Sequence, residues 1–217
     1  MANLSEKLAA LRTDYMRAGL REEDVLPDPI AQFELWMGDA IAGGVLEANV
    51  MTLATVSANG APHARIVLLK GVDPRGFTFF TNHDSDKGAE LAFEPRAALV
   101  FFWRELQRQV RIEGTTAPVT REESEAYFAT RPRGSQLGAW ASPQSAGVES
   151  RADLDASLAA AEARFAGGDV PCPPRWGGYR VTPIIIELWQ GRENRMHDRL
   201  RYALGERGAW RIERLAP

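Results

Sequence analysis

The chain has 217 residues, 45% of them hydrophobic and 25% charged, with a formal net charge of −3. That is the profile of a soluble globular protein with one domain, 1–217, large enough to bury its own core. It excludes a basic footprint for nucleic acid, any apolar run of membrane-spanning length, and an intrachain disulfide, because Cys172 is the only cysteine. A single thiol in a rigid PCPP connector fits a reducing, cytoplasmic setting.

The opening MANLSEKLAALRTDYMRAGL lacks the uninterrupted apolar core of a secretory signal, since Glu6, Lys7, Arg12 and Asp14 break it. Leu4, Leu8, Leu11 and Tyr15 recur at helical spacing and predict an amphipathic helix in an N-terminal segment, 1–27, able to move. Asp28-Pro29 predicts a helix start, Ile30, Phe33, Met37 and Ile41 its apolar stripe, and Gly43-Gly44 its end. From residue 50 the pattern becomes that of strands. MTLATVS and HARIVLLKGV flank the turn Ala58-Asn59-Gly60, and Pro74-Arg75-Gly76 leads into FTFFTN. A short helix before Pro95 and the strands AALVFFW and QRQVRIEGTTAPV follow.

Thr120 and Glu123 form a capping box for a helix through Tyr127 and Phe128. Residues 131–147 read as a long ordered loop, and Leu154, Leu158, Ala161 and Phe165 as another amphipathic helix. YRVTPIIIELWQG and a hairpin around Gly205-Glu206-Arg207-Gly208 complete the sheet. Many short strands with helices inserted predict a mainly β chain with flanking helices, an antiparallel barrel closed or nearly so.

Several stretches carry side chains suited to chemistry. If RMHDR is extended, Arg195, His197 and Arg199 share one strand face, and such a cationic row repels itself unless an anion lies against it. The same pattern fits a solvated hairpin edge. RIVLLK has a cation at each end, but alternation sends Arg65 and Lys70 to opposite faces unless a bulge or strand end redirects one. Thr81, Ser85 and Lys87 surround a helix start that suits a phosphate, or is simply capped. Gln107, Gln109 and Arg111 share a polar face that meets a ligand or water. RPRGSQLGAWASPQS combines arginines, amides, hydroxyls and a tryptophan, the set needed to hold a phosphorylated aromatic ring. No two of the three histidines have metal-ligand spacing, so no metal is expected. Neither GxGxxG nor a P-loop is present, which argues against a Rossmann domain or an NTPase.

Taken in order, RIVLLK, FFTN with its SxK loop, RQVRIEG, RPRGSQLGAWASPQS, WGGYRV, ELWQG and RMHDR resemble the pyridoxamine 5′-phosphate oxidase family over nearly the whole chain. The resemblance implies a split β-barrel that binds FMN as a homodimer, with two active sites at the subunit interface. It implies oxidation of pyridoxamine or pyridoxine 5′-phosphate by O2 to pyridoxal 5′-phosphate, with H2O2 released. Carried over by position, it implies FMN contacts from Arg65, Ile66, Val67, Leu68, Leu69, Lys70, Phe80, Thr81, Lys87, Gln109, Gln144, Ser145, Trp189 and Arg199, some from the second subunit. It implies substrate contacts from Lys70, Tyr127, Arg131 and Ser135 at the phosphate, and from Arg195 and His197, the catalytic pair, over the pyridine ring. Arg12 and Tyr15 fall where the family has a covering N-terminal segment. One position departs: Asp86 stands where the family usually has an arginine facing the flavin phosphate. The alternatives are a non-catalytic flavin- or pyridoxal-phosphate-binding protein and a flavin reductase on the same barrel.

Overall fold

The computed structural model describes residues 19–217, the side chain of Arg207 excepted. The helix expected around Leu4, Leu8, Leu11 and Tyr15, with Arg12, lies outside the described residues. In chain order the elements are α1 (Pro29–Ala42), β1 (Val50–Val56), β2 (Pro62–Leu68), β3 (Gly71–Asp73), β4 (Gly76–Asn82), α2 (Asp86–Phe93), β5 (Arg96–Trp103) and β6 (Arg108–Pro118). Then come α3 (Arg121–Ala129), α4 (Arg133–Ala141), α5 (Arg151–Arg164), β7 (Trp176–Gln190), β8 (Asp198–Leu204) and β9 (Trp210–Leu215). The strands are hydrogen-bonded in the order β2-β1-β5-β6-β7-β4-β3, with β8 on β7 and β9 on β8. Two compact units result. Among the described residues, one holds 19–48, Val100–Ile112 and Ile185–Pro217; the other holds Asn49–Leu99 and Glu113–Ile184.

In the first unit, Asp28 caps α1 by accepting the Ile30 N–H at 2.8 Å, and Pro29 follows where no N–H is needed. The buried stripe is Ile30, Phe33, Trp36 and Ala40, whereas Met37 is half-buried and Ile41 is exposed. The expected stripe is therefore rotated, because Trp36 supplies more apolar area than Met37 or Ile41. Phe33 meets Phe101 at 5.0 Å between ring centres and Trp103 at 6.2 Å, and the Trp103 N–H donates to the Ala48 carbonyl at 2.9 Å. The C-terminal half of β7 pairs antiparallel with β8, and β8 with β9, which buries Leu188, Leu200 and Tyr202.

In the second unit, β1 and β2 form the expected hairpin, its turn closed by Ser57 N–H to the Ala61 carbonyl at 3.0 Å with Gly60 at φ 84°. The strand expected to continue from β2 through Lys70 and Val72 is broken at Leu68. Leu69 N–H bonds Asn49 O at 2.9 Å, and Lys70 N–H bonds Thr78 O at 2.8 Å, so the chain changes partner from β1 to β4 between adjacent residues. This break redirects Lys70 relative to the Arg65 register.

β4 pairs with the N-terminal half of β7, from Phe77↔Val181 to Asn82↔Trp176. Gly178 lies opposite Phe80; a Cβ there would stand 2.8 Å from Val119 and 2.9 Å from the Phe80 ring. The Thr120–Glu123 box caps α3, with both bonds at 3.1 Å. The segment 131–147 is not a loop throughout, because α4 occupies its middle. Gly134 and Gly138 lower its intrinsic helix propensity. What holds α4 is tertiary: Leu137 is buried with Phe128, Ala161, Val170 and Trp176, and Trp140 packs against that cluster.

Candidate active site

The second unit contains a cavity of about 630 Å³. Ile66, Val67 and Leu68 of β2, Lys70, Phe80 and Thr81 of β4, and Lys87 of α2 line it. So do Tyr127 of α3, Arg131, Ser135 of α4 and Gln144. Eleven residues singled out from the sequence are thus brought together. Asn82, Thr130, Pro132, Gly138, Ala139, Ser142 and Trp176 join them and were not singled out. Trp176 opens the WGGYRV motif, and the two glycines after it were the available signal.

Lys70, Lys87 and Arg131 give the lining three cations, and no carboxylate is among its described residues. One end is a donor cluster at the start of α2. Gln144 Oε1 accepts from the Thr81 hydroxyl at 3.0 Å, the Lys87 ammonium at 3.2 Å and the Asn82 N–H at 3.4 Å. Donors converging on one acceptor oxygen are what an anion requires. The buried Ser85 hydroxyl ties the corner by accepting from Lys87 at 3.3 Å and from Gly88 N–H at 3.4 Å. Burial pushes the Lys87 ammonium below its ordinary range, and the nearby Arg65 charge adds to that shift. An anion would reverse both effects.

The other end is aromatic and basic. Phe80 stacks on Tyr127 at 4.0 Å and on Trp176 at 5.4 Å, and the Arg131 guanidinium lies 4.7 Å over Trp176. Arg131 Nη1 is buried with no hydrogen-bond partner among the described residues. A buried donor left in that state costs about 1–3 kcal/mol, which an anionic ligand would recover. Burial lowers the Arg131 pKa and raises that of Tyr127, whose phenol therefore remains a donor.

Three neighbours fall outside the lining. Leu69 is buried in the core. Ser145, at φ 74°, accepts the Asp86 N–H at 3.2 Å beside Gln144. Arg65 points to a buried carboxylate: its Nη2 donates to Glu90 Oε2 at 2.7 Å and its Nη1 to the Thr55 hydroxyl, while His63 Nδ1 also meets Glu90. Burial alone would raise the Glu90 pKa; the bonds from Thr55, His63 and Arg65, with the Arg65 charge, outweigh it and hold the group at about 2.

Gln109, Trp189, Arg195, His197 and Arg199 belong to the first unit. The expectation that RMHDR is one extended face is corrected. Arg195 ends a short 3-10 turn (Glu193–Arg195), and only Asp198 and Arg199 of the five residues are in β8. Asn194 and Arg195 have φ of 55° and 60°, a conformation open to glycine but rarely adopted by L residues other than asparagine and aspartate. Two in succession beside a candidate catalytic histidine are local strain held by the surrounding fold. His197 packs on Trp189 with ring centres 4.7 Å apart. Arg199 forks onto the buried Glu187 at 2.9 and 3.1 Å and donates to Ala216 O at 2.9 Å. Gln107, expected beside Gln109 on a strand, instead sits before β6 in a left-handed conformation at φ 53°.

Among the described residues, no group of three or more His, Cys, Asp and Glu is placed to hold a metal ion, and no helix is long and apolar enough to cross a membrane.

Comparison with known proteins gives a consistent result. A family model described as pyridoxamine 5′-phosphate oxidase matches residues 37–164. A second, described as the pyridoxine 5′-phosphate oxidase C-terminal dimerisation region, matches residues 176–217. A pyridoxine/pyridoxamine 5′-phosphate oxidase of Rubrobacter xylanophilus is 58% identical over 97% of this chain and 96% of its own. One of Burkholderia thailandensis is 58% identical over 97% of this chain and 99% of its own. Among solved structures, PhzG from Burkholderia lata, in complex with tetrahydrophenazine-1-carboxylic acid, is 30% identical with a TM-score of 0.88, over 94% of this chain and 100% of that one. A pyridoxamine 5′-phosphate oxidase-related, FMN binding protein from Nostoc punctiforme shares the fold at 16% identity, with a TM-score of 0.69 over 85% of this chain and 97% of that one. The expected fold class holds: mainly β with flanking helices, in the antiparallel split-barrel arrangement.

Proposed function

This chain belongs to the pyridoxamine 5′-phosphate oxidase family, and from that premise we propose that it oxidises pyridoxamine or pyridoxine 5′-phosphate to pyridoxal 5′-phosphate with FMN. The observation that carries the reading is the cavity whose described lining has three cations and no carboxylate. A phosphorylated pyridine needs a dianion site next to an aromatic wall, and Lys70, Arg131 and the Phe80–Tyr127–Trp176 stack supply those parts.

On this reading Lys70, Arg131, the Tyr127 phenol and the Ser135 hydroxyl hold the substrate phosphate. Each charge-assisted hydrogen bond contributes about 1.5–3 kcal/mol. The buried, partnerless Arg131 Nη1 fits that role. Thr81, Lys87, Gln144 and Ser145 hold the FMN phosphate at the start of α2, with Arg65 behind them. Ile66, Val67, Leu68 and Phe80 form the apolar wall that excludes water from the reacting rings, and Leu69, packed in the core, backs it. Gln109, Trp189 and Arg199 complete the flavin contacts, and Arg195 and His197 face the substrate ring.

FMN supplies a two-electron acceptor that O2 restores, so that amine, O2 and water give aldehyde, ammonia and H2O2, while alcohol and O2 give aldehyde and H2O2. The chain's own contribution is to hold the two rings in reacting contact and to place cationic donors where charge develops. We assign the assembly as a homodimer. Its support is that the dimerisation-region match, 176–217, contains Trp189, Arg195, His197 and Arg199. The lone thiol suits a cytoplasmic enzyme.

The likeness to PhzG supports a second reading, oxidation of a reduced phenazine carboxylic acid. Anaerobic mixing separates the two. Pyridoxamine 5′-phosphate should bleach the flavin absorbance of FMN-loaded protein one mole for one, and pyridoxamine without its phosphate should fail at the same concentration. Bleaching by tetrahydrophenazine-1-carboxylic acid alone would install the second reading instead.

A further inference from the structure

The β1–β2 hairpin and α2 meet at one buried carboxylate. Thr55 lies directly opposite His63 in the register, and Arg65 stands two residues on, so the three share one face of the hairpin. On α2, Lys87 and Glu90 are three residues apart and therefore on one side of the helix. Glu90 accepts from Arg65 Nη2 at 2.7 Å and from the Thr55 hydroxyl, and it meets His63 Nδ1. The Thr55 hydroxyl in turn accepts from Arg65 Nη1. Each terminal nitrogen of a guanidinium has a second N–H, so Arg65 is anchored and still has donors to give. The unit reaches Lys87, whose pKa is pushed down by the Arg65 charge and up by those of Asp86 and Glu90. With His63 neutral, the corner at the start of α2 thus sets two cations, Arg65 and Lys87, against two carboxylates, Glu90 and the exposed Asp86. Its charge is balanced before any anion arrives.

We propose that Glu90 is the resident counter-ion of the FMN phosphate corner: it shares Arg65 with the phosphate, stabilises the corner without flavin, and thereby limits FMN affinity. This rests on the reading of the α2 start as the FMN phosphate site and adds the residue that sets how tightly that site holds. Glu90 has two effects of opposite sign. In flavin-free protein it gives the part-buried Arg65 an opposite charge, without which that charge is costly. Towards a phosphate dianion the same carboxylate is repulsive and draws on the cation that the phosphate needs. An anchor and a counter-ion differ in what their removal does: loss of an anchor weakens binding, and loss of a counter-ion strengthens it. Glu90→Gln separates the two, because the amide oxygen still accepts from Arg65 and Thr55 still holds Nη1, so position is kept and charge is removed. A purely structural Glu90 would give a less stable protein with equal or weaker flavin binding. A counter-ion gives a less stable flavin-free protein that binds FMN more tightly.

Flavin titrations of the full chain test the proposal. Flavin-free wild-type and Glu90→Gln proteins are titrated with FMN and with riboflavin, which lacks the phosphate, and binding is followed by quenching of flavin fluorescence. Glu90→Gln should lower the Kd for FMN by about 3- to 30-fold at low salt, and by less at high salt. The Kd for riboflavin should stay within about twofold, because an uncharged ligand feels little of a removed charge. By linkage, the stability gap between the two proteins should narrow by the same factor when both are saturated with FMN. If the variant does not fold without flavin, it is refolded with FMN, and the loaded proteins are compared by their rate of flavin release, which should be slower in the variant. Unchanged or weaker FMN binding, equal tightening for riboflavin, or a variant that FMN does not restore overturns the proposal while leaving FMN as the cofactor. Wild-type protein that binds FMN no better than riboflavin would instead overturn the phosphate site itself, and the proposal with it.

Discussion

Glu90→Gln should destabilise the fold and remove a defined part of its acid sensitivity. Glu90 is 6% exposed, and three side chains converge on it: Thr55 from β1, His63 and Arg65 from β2. It ties α2, which carries Lys87, to the hairpin that carries the apolar wall of the cavity. Its carboxylate is held at about 2 in the folded protein, against an ordinary 4.5. The folded state therefore keeps it ionised where the unfolded chain has already bound a proton. The stabilisation is fully present above about pH 4.5 and is lost as pH falls towards about 2.

A shift of that size corresponds to about 3 kcal/mol. Gln retains the shape and leaves Arg65, 22% exposed, without its counter-charge. Removing one partner of a buried pair costs about 3–5 kcal/mol; with Arg65 partly in water, about 2–4 kcal/mol is expected at neutral pH. Urea unfolding at fixed protein concentration should show the midpoint falling by about 1 M. Repeated at successively lower pH, the two curves should converge below about pH 4.5, because the wild-type protein loses what the variant never had. A loss under about 0.5 kcal/mol, or curves that stay parallel down to about pH 3, would refute the reasoning.

Other outcomes follow from the same geometry. Arg199→Ala removes the fork on the buried Glu187 and leaves it the longer 3.3 Å bond from Arg111, which should cost about 1.5–3 kcal/mol of stability as well as FMN affinity. Arg195→Ala, at an exposed position, should leave the thermal midpoint within about 2 °C while lowering kcat/KM by about 10- to 150-fold. Equal stability losses in the two variants would contradict their assignment. Asp86→Arg should tighten FMN binding by about twofold to a hundredfold at low salt, less at high salt, because Asp86 is exposed at the start of α2 beside Ser145. Unchanged affinity in an apoprotein titration would place Asp86 away from the phosphate. Sedimentation should find a dimer in the FMN-loaded protein; a monomer that binds FMN stoichiometrically would overturn the assembly.

Most of the fold was legible because its signals are local. Asp28-Pro29, the Thr120–Glu123 box and Asn59-Gly60 each specify their element by backbone chemistry within a few residues. What escaped depends on distant contacts. α4 exists because Leu137 and Trp140 have a cluster from α3, α5 and β7 to pack on, which outweighs two glycines within it. The break after Leu68 is set by Thr78 accepting the Lys70 N–H, a partner eight residues on. RMHDR reads as a strand by alternation, but Asn194 was its one hint of a left-handed turn, and the fold imposes the same conformation on Arg195. The candidate site shows the same division. Residue types suggested a phosphate and an aromatic ring, the family resemblance implied the individual contacts, and the cavity collects eleven of those residues. That Arg65 turns to Glu90 depends on a pair 25 positions apart with no periodicity to announce it.

The most direct test of the central claim is the stoichiometry of turnover in air. FMN-loaded protein given pyridoxamine 5′-phosphate should form pyridoxal 5′-phosphate with one O2 consumed and one H2O2 released per aldehyde, and Arg131→Ala should raise KM for the phosphorylated substrate by about tenfold or more. No aldehyde from either the amine or the alcohol substrate, by protein that holds its flavin, would contradict the proposed function.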